Sequence, residues 1–279
     1  METSGPQSDL SLNTAVVRTL LEKFLRDESN NAGFTRGIVG LSGGVDSAVT
    51  AFLAAGALGR QNVRAVMMPY RTSSAESLLD AQRVVDALGI QSETVDITPM
   101  VDPLLGAMRV EDRLRAGNVM ARQRMIVLYD VSARDGGLVL GTSNKTEFLL
   151  GYGTLFGDMA CAINPLGDLY KTQVWQLAEA LGVPGEIVAK KPTADLWTGQ
   201  TDEGELGFTY RDVDRLLYAM IDERRSDAEL GAMGFDERFI RSVQAMVRKS
   251  QFKRRPPLVA KVSHRTVNVD FRYARDWGI

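Results

Sequence analysis

Apolar residues at Leu12, Val16, Leu20 and Phe24 recur at every fourth position, with Val17, Leu21 and Leu25 beside them. That spacing stacks them on one face of an amphipathic helix, which Gly33 then stops. Ile38, Val39, Gly40 and Leu41 form a short apolar run, the pattern of a buried strand. A helix is predicted to start near Val45 and to turn Ala48, Val49, Phe52 and Leu53 inward. Residues 63–68 read as a second strand, 74–88 as a helix and 93–97 as a third strand. Residues 118–133 read as a helix burying Ile126, Val127 and Leu128, and 138–141 as a fourth strand. Strands alternating with helices predict an α/β fold, an open parallel sheet with helices on both faces.

The pattern changes after residue 160. Residues 170–181 read as a helix ended by Gly182 and Pro184, and 191–207 lack periodicity and read as a mobile loop. Two further helices, 210–224 and 236–252, precede an irregular tail that starts at Pro256 and Pro257. With no internal repeat, the simplest organisation is one domain over residues 1–279 with a helical C-terminal extension, and 1–9 as a disordered lead-in.

Composition narrows the function classes. Hydrophobic residues make up 44% and charged residues 24% of 279, as in soluble globular chains. The net charge of −2 supplies no field to recruit nucleic acid, although residues 248–276 are locally basic. No run of apolar residues is long enough to span a membrane, and the polar N-terminus is no signal peptide. One cysteine, Cys161, cannot pair within the chain, which suits a reducing cytoplasm. It also weighs against sulfur transfer; Cys161 reads as a buried thiol, and the single histidine, His264, as incidental.

Candidate chemistry begins where the first strand ends, at Ser42-Gly43-Gly44-Val45-Asp46-Ser47. A glycine turn between strand and helix exposes backbone N–H groups beside the positive end of the helix dipole, which is an anion site. The loop lacks the Gly-Lys-Ser/Thr of a Walker A motif and the spacing of a dinucleotide fingerprint. Asp46 would repel a phosphate unless a divalent cation lay between them, so the loop implies Mg²⁺. A tight turn with capping side chains is the plainer alternative. Glu147, after the fourth strand, is a candidate second carboxylate for the metal, or else an ordinary helix glutamate. Lys171, near a helix start, is unfavourable for the dipole unless it meets an anion.

The loop resembles the pyrophosphate loop of N-type ATP pyrophosphatases, which implies adenylation of a substrate with release of pyrophosphate. Three further segments add to it: 140–147 with Thr142 and Glu147; 157–172 with Asp158 and Lys171; and 191–207 with Thr193. In this order they resemble the NAD⁺ synthetase family, over about residues 38–253. The resemblance implies that ATP adenylates the nicotinate carboxylate of deamido-NAD⁺, and that ammonia then displaces AMP. It places Ser42 to Ser47, Thr142, Lys171 and Thr193 on ATP, Asp46 and Glu147 on Mg²⁺, and Arg122 and Lys253 on deamido-NAD⁺. Asp158 is a candidate for the ammonia pocket. The catalytic set is then Asp46, Asp158 and Lys171.

Leu155, Ala162 and Phe252 depart from residues of the ammonia-dependent bacterial pattern, and residues 151–160 resemble glutamine-dependent members. The amidase domain of those members is not in this chain, so the expected nitrogen source is free ammonia or a separate supplying protein. The family also implies a homodimer with the 118–133 helix at its interface. A GMP synthetase-like amidating enzyme and a non-catalytic ATP sensor are the alternatives at this level.

Overall fold

The computed structural model describes residues 10–197, 199–255 and 258–266. The expectations for residues 1–9, for the start of the irregular tail and for residues 267–279 lie outside them. The first half alternates helices and strands: α1 (Thr14–Asn31), β1 (Arg36–Gly40), α2 (Val45–Leu58), β2 (Val63–Met67), α3 (Ala75–Leu88), β3 (Gln91–Thr94), α4 (Thr98–Ala107), α5 (Arg113–Asp135) and β4 (Gly137–Leu140). The second half is helical: α6 (Lys145–Leu150), α7 (Lys171–Leu181), α8 (Gly185–Ala189), α9 (Asp202–Leu206), α10 (Tyr210–Leu217), α11 (Asp227–Ala232) and α12 (Glu237–Lys249).

The strands form one parallel sheet in the order β3-β2-β1-β4. Alternate side chains of β1 and β2 enter opposite layers, as the period of a strand demands. Val39, Ala65 and Met67 pack under α1, α2, α3 and α7, whereas Ile38 and Val66 pack under α4 and α5. Both layers are dry, and each fully buried Leu, Ile or Val in them stabilises the fold by about 1.5–3 kcal/mol. A third core joins α6, α10, α11 and α12 around Tyr210, Leu216, Leu217 and Val243. The predicted open parallel sheet with helices on both faces and a helical C-terminal part is therefore the observed architecture.

Several elements differ from expectation. α4 is an addition, hidden in the sequence because Pro99 and Pro103 read as breakers; Pro99 lies in its first turn, where its missing N–H costs nothing, whereas Pro103 lies inside the helix. The third strand runs over Gln91–Thr94, earlier than expected, because Val95 and Ile97 belong to the turn that enters α4. Ile126, expected to be buried, is 54% exposed, and Val127 takes the inward position on α5. The segment 191–207 is not structureless, since Thr201 caps α9 by accepting from the Gly204 N–H. The predicted 210–224 helix is α10 followed by a π-helical turn at Tyr218–Asp222.

Chain order takes β1 to β2 and β3 on one side, then back across to β4 on the other. β1 and β4 therefore flank the topological switch point, where open α/β sheets hold ligands beyond their strand ends. The glycine loop leaves β1 and residues 141–144 leave β4 at this same edge.

Candidate active site

The turn after β1 is shaped by one glycine and two serines. Gly43 has φ +81°, and a Cβ at this position would lie 2.1 Å from the Ser77 carbonyl oxygen, so no side chain fits. Ser47 Oγ donates to the Gly44 carbonyl at 2.9 Å, and the Ser42 N–H donates back to Ser47 Oγ at 3.3 Å. Gly44 is the N-cap of α2 with no side-chain capping bond, so Ser42 and Asp46 are not there to cap the helix. The loop presents the first turn of α2, whose N–H groups have no intrahelical acceptors, to the cleft above the sheet.

Beyond β4, Asn144 and Glu147 form a capping box at the start of α6. The Asn144 side chain accepts from the Glu147 N–H at 3.0 Å, and Glu147 Oε2 accepts from the Asn144 N–H at 3.1 Å. Asn144 Nδ2 also donates to Asp46 Oδ1 at 2.9 Å, tying the two strand ends together. Asn144 was overlooked in the sequence reading, yet an Asn three residues before a Glu at a helix start is itself a capping signature.

Lys171, at the start of α7, meets the anion its position requires. Its Nζ donates to Asp46 Oδ2, lies 3.9 Å from Glu147 Oε1, and sits 5.3 Å over the Tyr210 ring. Its side chain is 3% exposed. Burial alone would lower the Lys171 pKa, but Asp46 and Glu147 outweigh it and hold the ammonium above the ordinary lysine range. Glu147 is pushed well up, first by burial and then by the charge of Asp46, although Lys171 and the Asn144 N–H oppose this. Two carboxylates and one ammonium thus share a largely buried floor under the glycine loop.

The cleft above this floor measures about 500 Å³ and is lined by Ser42, Gly43, Gly44, Val45, Asp46, Ser47, Thr142, Glu147, Asp158, Lys171, Thr193 and Lys253. Every residue assigned to ATP, metal, ammonia or deamido-NAD⁺ from the sequence is there except Arg122. The exposed Arg122 guanidinium reaches the Leu155 carbonyl at 3.4 Å and does not line the cleft. Arg124, not singled out, does line it: its Nε donates to the Met68 carbonyl at 3.1 Å, and burial lowers its pKa. The sequence held a signal for this. Arg124 lies four residues after Met120 and three before Val127, on the inward stripe of α5.

At the other end, the exposed Asp158 accepts from the Thr154 N–H at 2.8 Å. Lys253 Nζ donates to the carbonyls of Gly151 and Gly153 at 2.8 and 2.7 Å, which holds the 151–158 turn in place. Cys161 is half-buried with its thiol pushed up by burial, and His264 is exposed and away from the cleft. Among the described residues no cluster of three or more His, Cys, Asp or Glu could cage a metal. The cation-binding candidates are therefore the pair Asp46 and Glu147.

A parallel sheet with a glycine loop, an aspartate in that loop and a second carboxylate at the switch point defines an ATP-pyrophosphatase-type α/β protein. Within that class the chain belongs to the NAD synthase family, whose model matches residues 17–257. It is 59% identical to the NH3-dependent NAD⁺ synthetase of Trichlorobacter lovleyi over 271 residues, 97% of this chain and 99% of the relative. The enzyme of the same name from Chlorobaculum parvum is 56% identical over 269 residues, 96% of this chain and 97% of that one. Among solved structures, the NH3-dependent NAD synthetase of Campylobacter jejuni superposes with a TM-score of 0.77 at 32% identity, covering 90% of this chain and 100% of that one. An NMN synthetase from Francisella tularensis superposes at 0.80 with 31% identity, covering 90% and 99%.

Proposed function

We infer that this chain is an ammonia-dependent NAD⁺ synthetase, a ligase that forms the C–N bond of the nicotinamide group at the expense of ATP. The carrying observation is the meeting of Asp46, Glu147 and Lys171 under the glycine loop, in a chain matched end to end by relatives of that name. In the first step a carboxylate oxygen of deamido-NAD⁺ attacks the α-phosphorus of ATP, and the bond to the β-phosphate oxygen breaks. The N–H groups of residues 43–47 receive the departing pyrophosphate, and the Lys171 ammonium neutralises charge that builds on it. Thr142 and Thr193, which both line the cleft, bind and orient ATP.

The second step joins ammonia to the activated acyl carbon, and AMP leaves with the bridging oxygen. Asp158 holds ammonium in the turn braced by Lys253 and takes its proton, because only the free amine carries the lone pair that attacks. Lys253 and Arg122 bind deamido-NAD⁺. Free ammonia or a separate supplying protein provides the nitrogen, and the reaction is placed in the cytoplasm.

Asp46 and Glu147 would hold Mg²⁺. The pair suits it: two carboxylates crowd one largely buried floor with a single ammonium between them, and Mg²⁺ commonly takes one or two carboxylates plus substrate phosphate oxygens. When bound, Mg²⁺ supplies charge neutralisation at the ATP phosphates.

A homodimer completes the reading. Met100 and Leu104 of α4, Met108 at its C-terminal end, and Ile126 and Tyr129 of α5 are all exposed, apolar surface that a second copy would cover. Arg122 lies on the same helix, which explains its distance from this copy's cleft. Sedimentation should give twice the chain mass, and Ile126→Glu should give monomers.

Pyrophosphate release from ATP, with ammonia and each acid in turn, tests the substrate. Deamido-NAD⁺ should stimulate it at least tenfold over nicotinate mononucleotide or xanthylate. Equal stimulation by any of the others would overturn the assignment.

A further inference from the structure

Between the two ends of the cleft lies a buried carboxylate that the reaction above does not use. Asp202, at the start of α9, is 5% exposed; the Lys171 ammonium attracts it from a distance, but among the described residues no lysine or arginine forms a direct ion pair with it. Instead two phenols hold it: Tyr210 donates to Oδ2 at 3.0 Å and Tyr152 to Oδ1 at 3.1 Å. Burying a carboxylate on two neutral donors is costly compared with an apolar side chain of similar volume. The connections of its two partners show what that charge serves.

Tyr210 lies between Asp202 and the floor of the cleft, with its hydroxyl on Asp202 and its ring under the Lys171 ammonium. Tyr152 belongs to the turn whose neighbouring carbonyls, Gly151 and Gly153, are held by Lys253. Its single hydroxyl hydrogen faces two acceptors, Asp202 at 3.1 Å and Glu205 at 2.8 Å. Glu205 in turn accepts from Gln200 Nε2 at 3.0 Å, and Gln200 Oε1 accepts from the Leu196 N–H at 2.9 Å. Leu196 lines the cleft beside Thr193. The Asp202 N–H itself donates to the Pro192 carbonyl at 3.0 Å, one residue before Thr193.

One chain of hydrogen bonds therefore runs from the segment over the ATP wall, through Glu205 and Asp202, to the turn that carries Asp158. We propose that Asp202, through Tyr152 and Tyr210, is a positioning residue that couples the ATP half of the cleft to the acid-substrate half. Movement of residues 192–197 onto ATP, passed through Gln200, shifts Glu205 and Asp202 relative to Tyr152, and the Tyr152 turn follows. Each substrate then binds more tightly when the other is present, because each bears part of the ordering cost of the same segments. The coupling rests on the functional reading above, since it needs both substrates in one cleft.

The test is equilibrium binding of α,β-methylene ATP with Mg²⁺, with and without saturating deamido-NAD⁺, to the full chain and to its Tyr152→Phe and Asp202→Asn variants. The unaltered chain should bind the analogue roughly 5-fold or more tightly when deamido-NAD⁺ is present. Tyr152→Phe, which removes one hydroxyl and keeps the ring, should bring that ratio close to one while affinity for the analogue alone changes less than 3-fold. Asp202→Asn should do the same, and if it fails to fold, Tyr152→Phe decides alone. A ratio preserved in Tyr152→Phe, or absent from the unaltered chain, overturns the coupling. Failure of deamido-NAD⁺ to bind the unaltered chain at all overturns the functional reading and the coupling with it.

Discussion

Asp46 shows how far one residue type in one place can be read. A carboxylate in a phosphate loop made sense from the sequence only with a countercharge, and the structure supplies one in Lys171. The same contact explains why a lysine opens α7 against the helix dipole. Asp46→Asn removes the negative charge from that ion pair and one of the two cation-binding candidates. Turnover should fall roughly 100-fold or more with the melting temperature little changed, as steady-state kinetics and calorimetry would show; near-normal turnover would mean that the loop has another use. Gly43 carries a different constraint. Gly43→Ala places a methyl into the Ser77 carbonyl at a positive φ, so it should cost about 1–3 kcal/mol of stability and most ATP binding. Glu147 was legible as a candidate, but its burial was not, since residues 145–150 give too short a window for periodicity to show which face is inward. Arg122 and Arg124 mark the converse case: family likeness pointed to the first, and the helical stripe of α5 pointed to the second.

At the scale of elements, the strands and long helices of the first half were legible because each buries one face and repeats its pattern several times. The short helices α6, α8, α9 and α11 were not, since five or six residues hold less than two turns of pattern. Their ends are written in capping residues instead, and Asn144, Thr201 and Ser226 each cap the helix that follows. The junction of α6, α7 and α10 carries a pH consequence. Asp214 is fully buried, accepting from Thr146 Oγ1 at 2.6 Å and the Thr172 N–H at 2.8 Å, and burial raises its pKa. A raised folded-state value means the folded chain keeps this proton after the unfolded chain has lost it. Its contribution to stability is therefore complete below the ordinary carboxylate range and is lost as pH rises through the folded value. Asp214→Asn removes that slope, so unfolding titrations should show the variant gaining on the unaltered chain as pH rises across this window. The 191–207 segment carries α9 and the Leu196–Gln200–Glu205 bonds, and it lies along the cleft wall. ATP with deamido-NAD⁺ should slow its cleavage by chymotrypsin at Trp197 roughly several-fold or more, as gel analysis of a time course would show.

For the whole molecule, the chain order of the sheet does most to create function. Crossing back from β3 to β4 brings residues about a hundred positions apart, Asp46 and Asn144, into hydrogen-bond contact. The α/β class was legible from alternation alone, but the strand order, and with it the meeting of Asp46, Glu147 and Lys171, is a long-range outcome that local pattern does not encode. The helical C-terminal part then flanks the cleft, bringing Lys253 to it and the Tyr210 ring under Lys171. Adenylation of the substrate carboxylate is the central chemical claim, and it leaves an isotopic record. With deamido-NAD⁺ carrying ¹⁸O in both carboxylate oxygens, one labelled oxygen bridges to the α-phosphorus and departs with AMP when ammonia attacks the acyl carbon. Mass spectrometry of the products should find one ¹⁸O in each AMP and one in each NAD⁺ amide. Unlabelled AMP formed together with NAD⁺ would contradict activation of the carboxylate at the α-phosphorus.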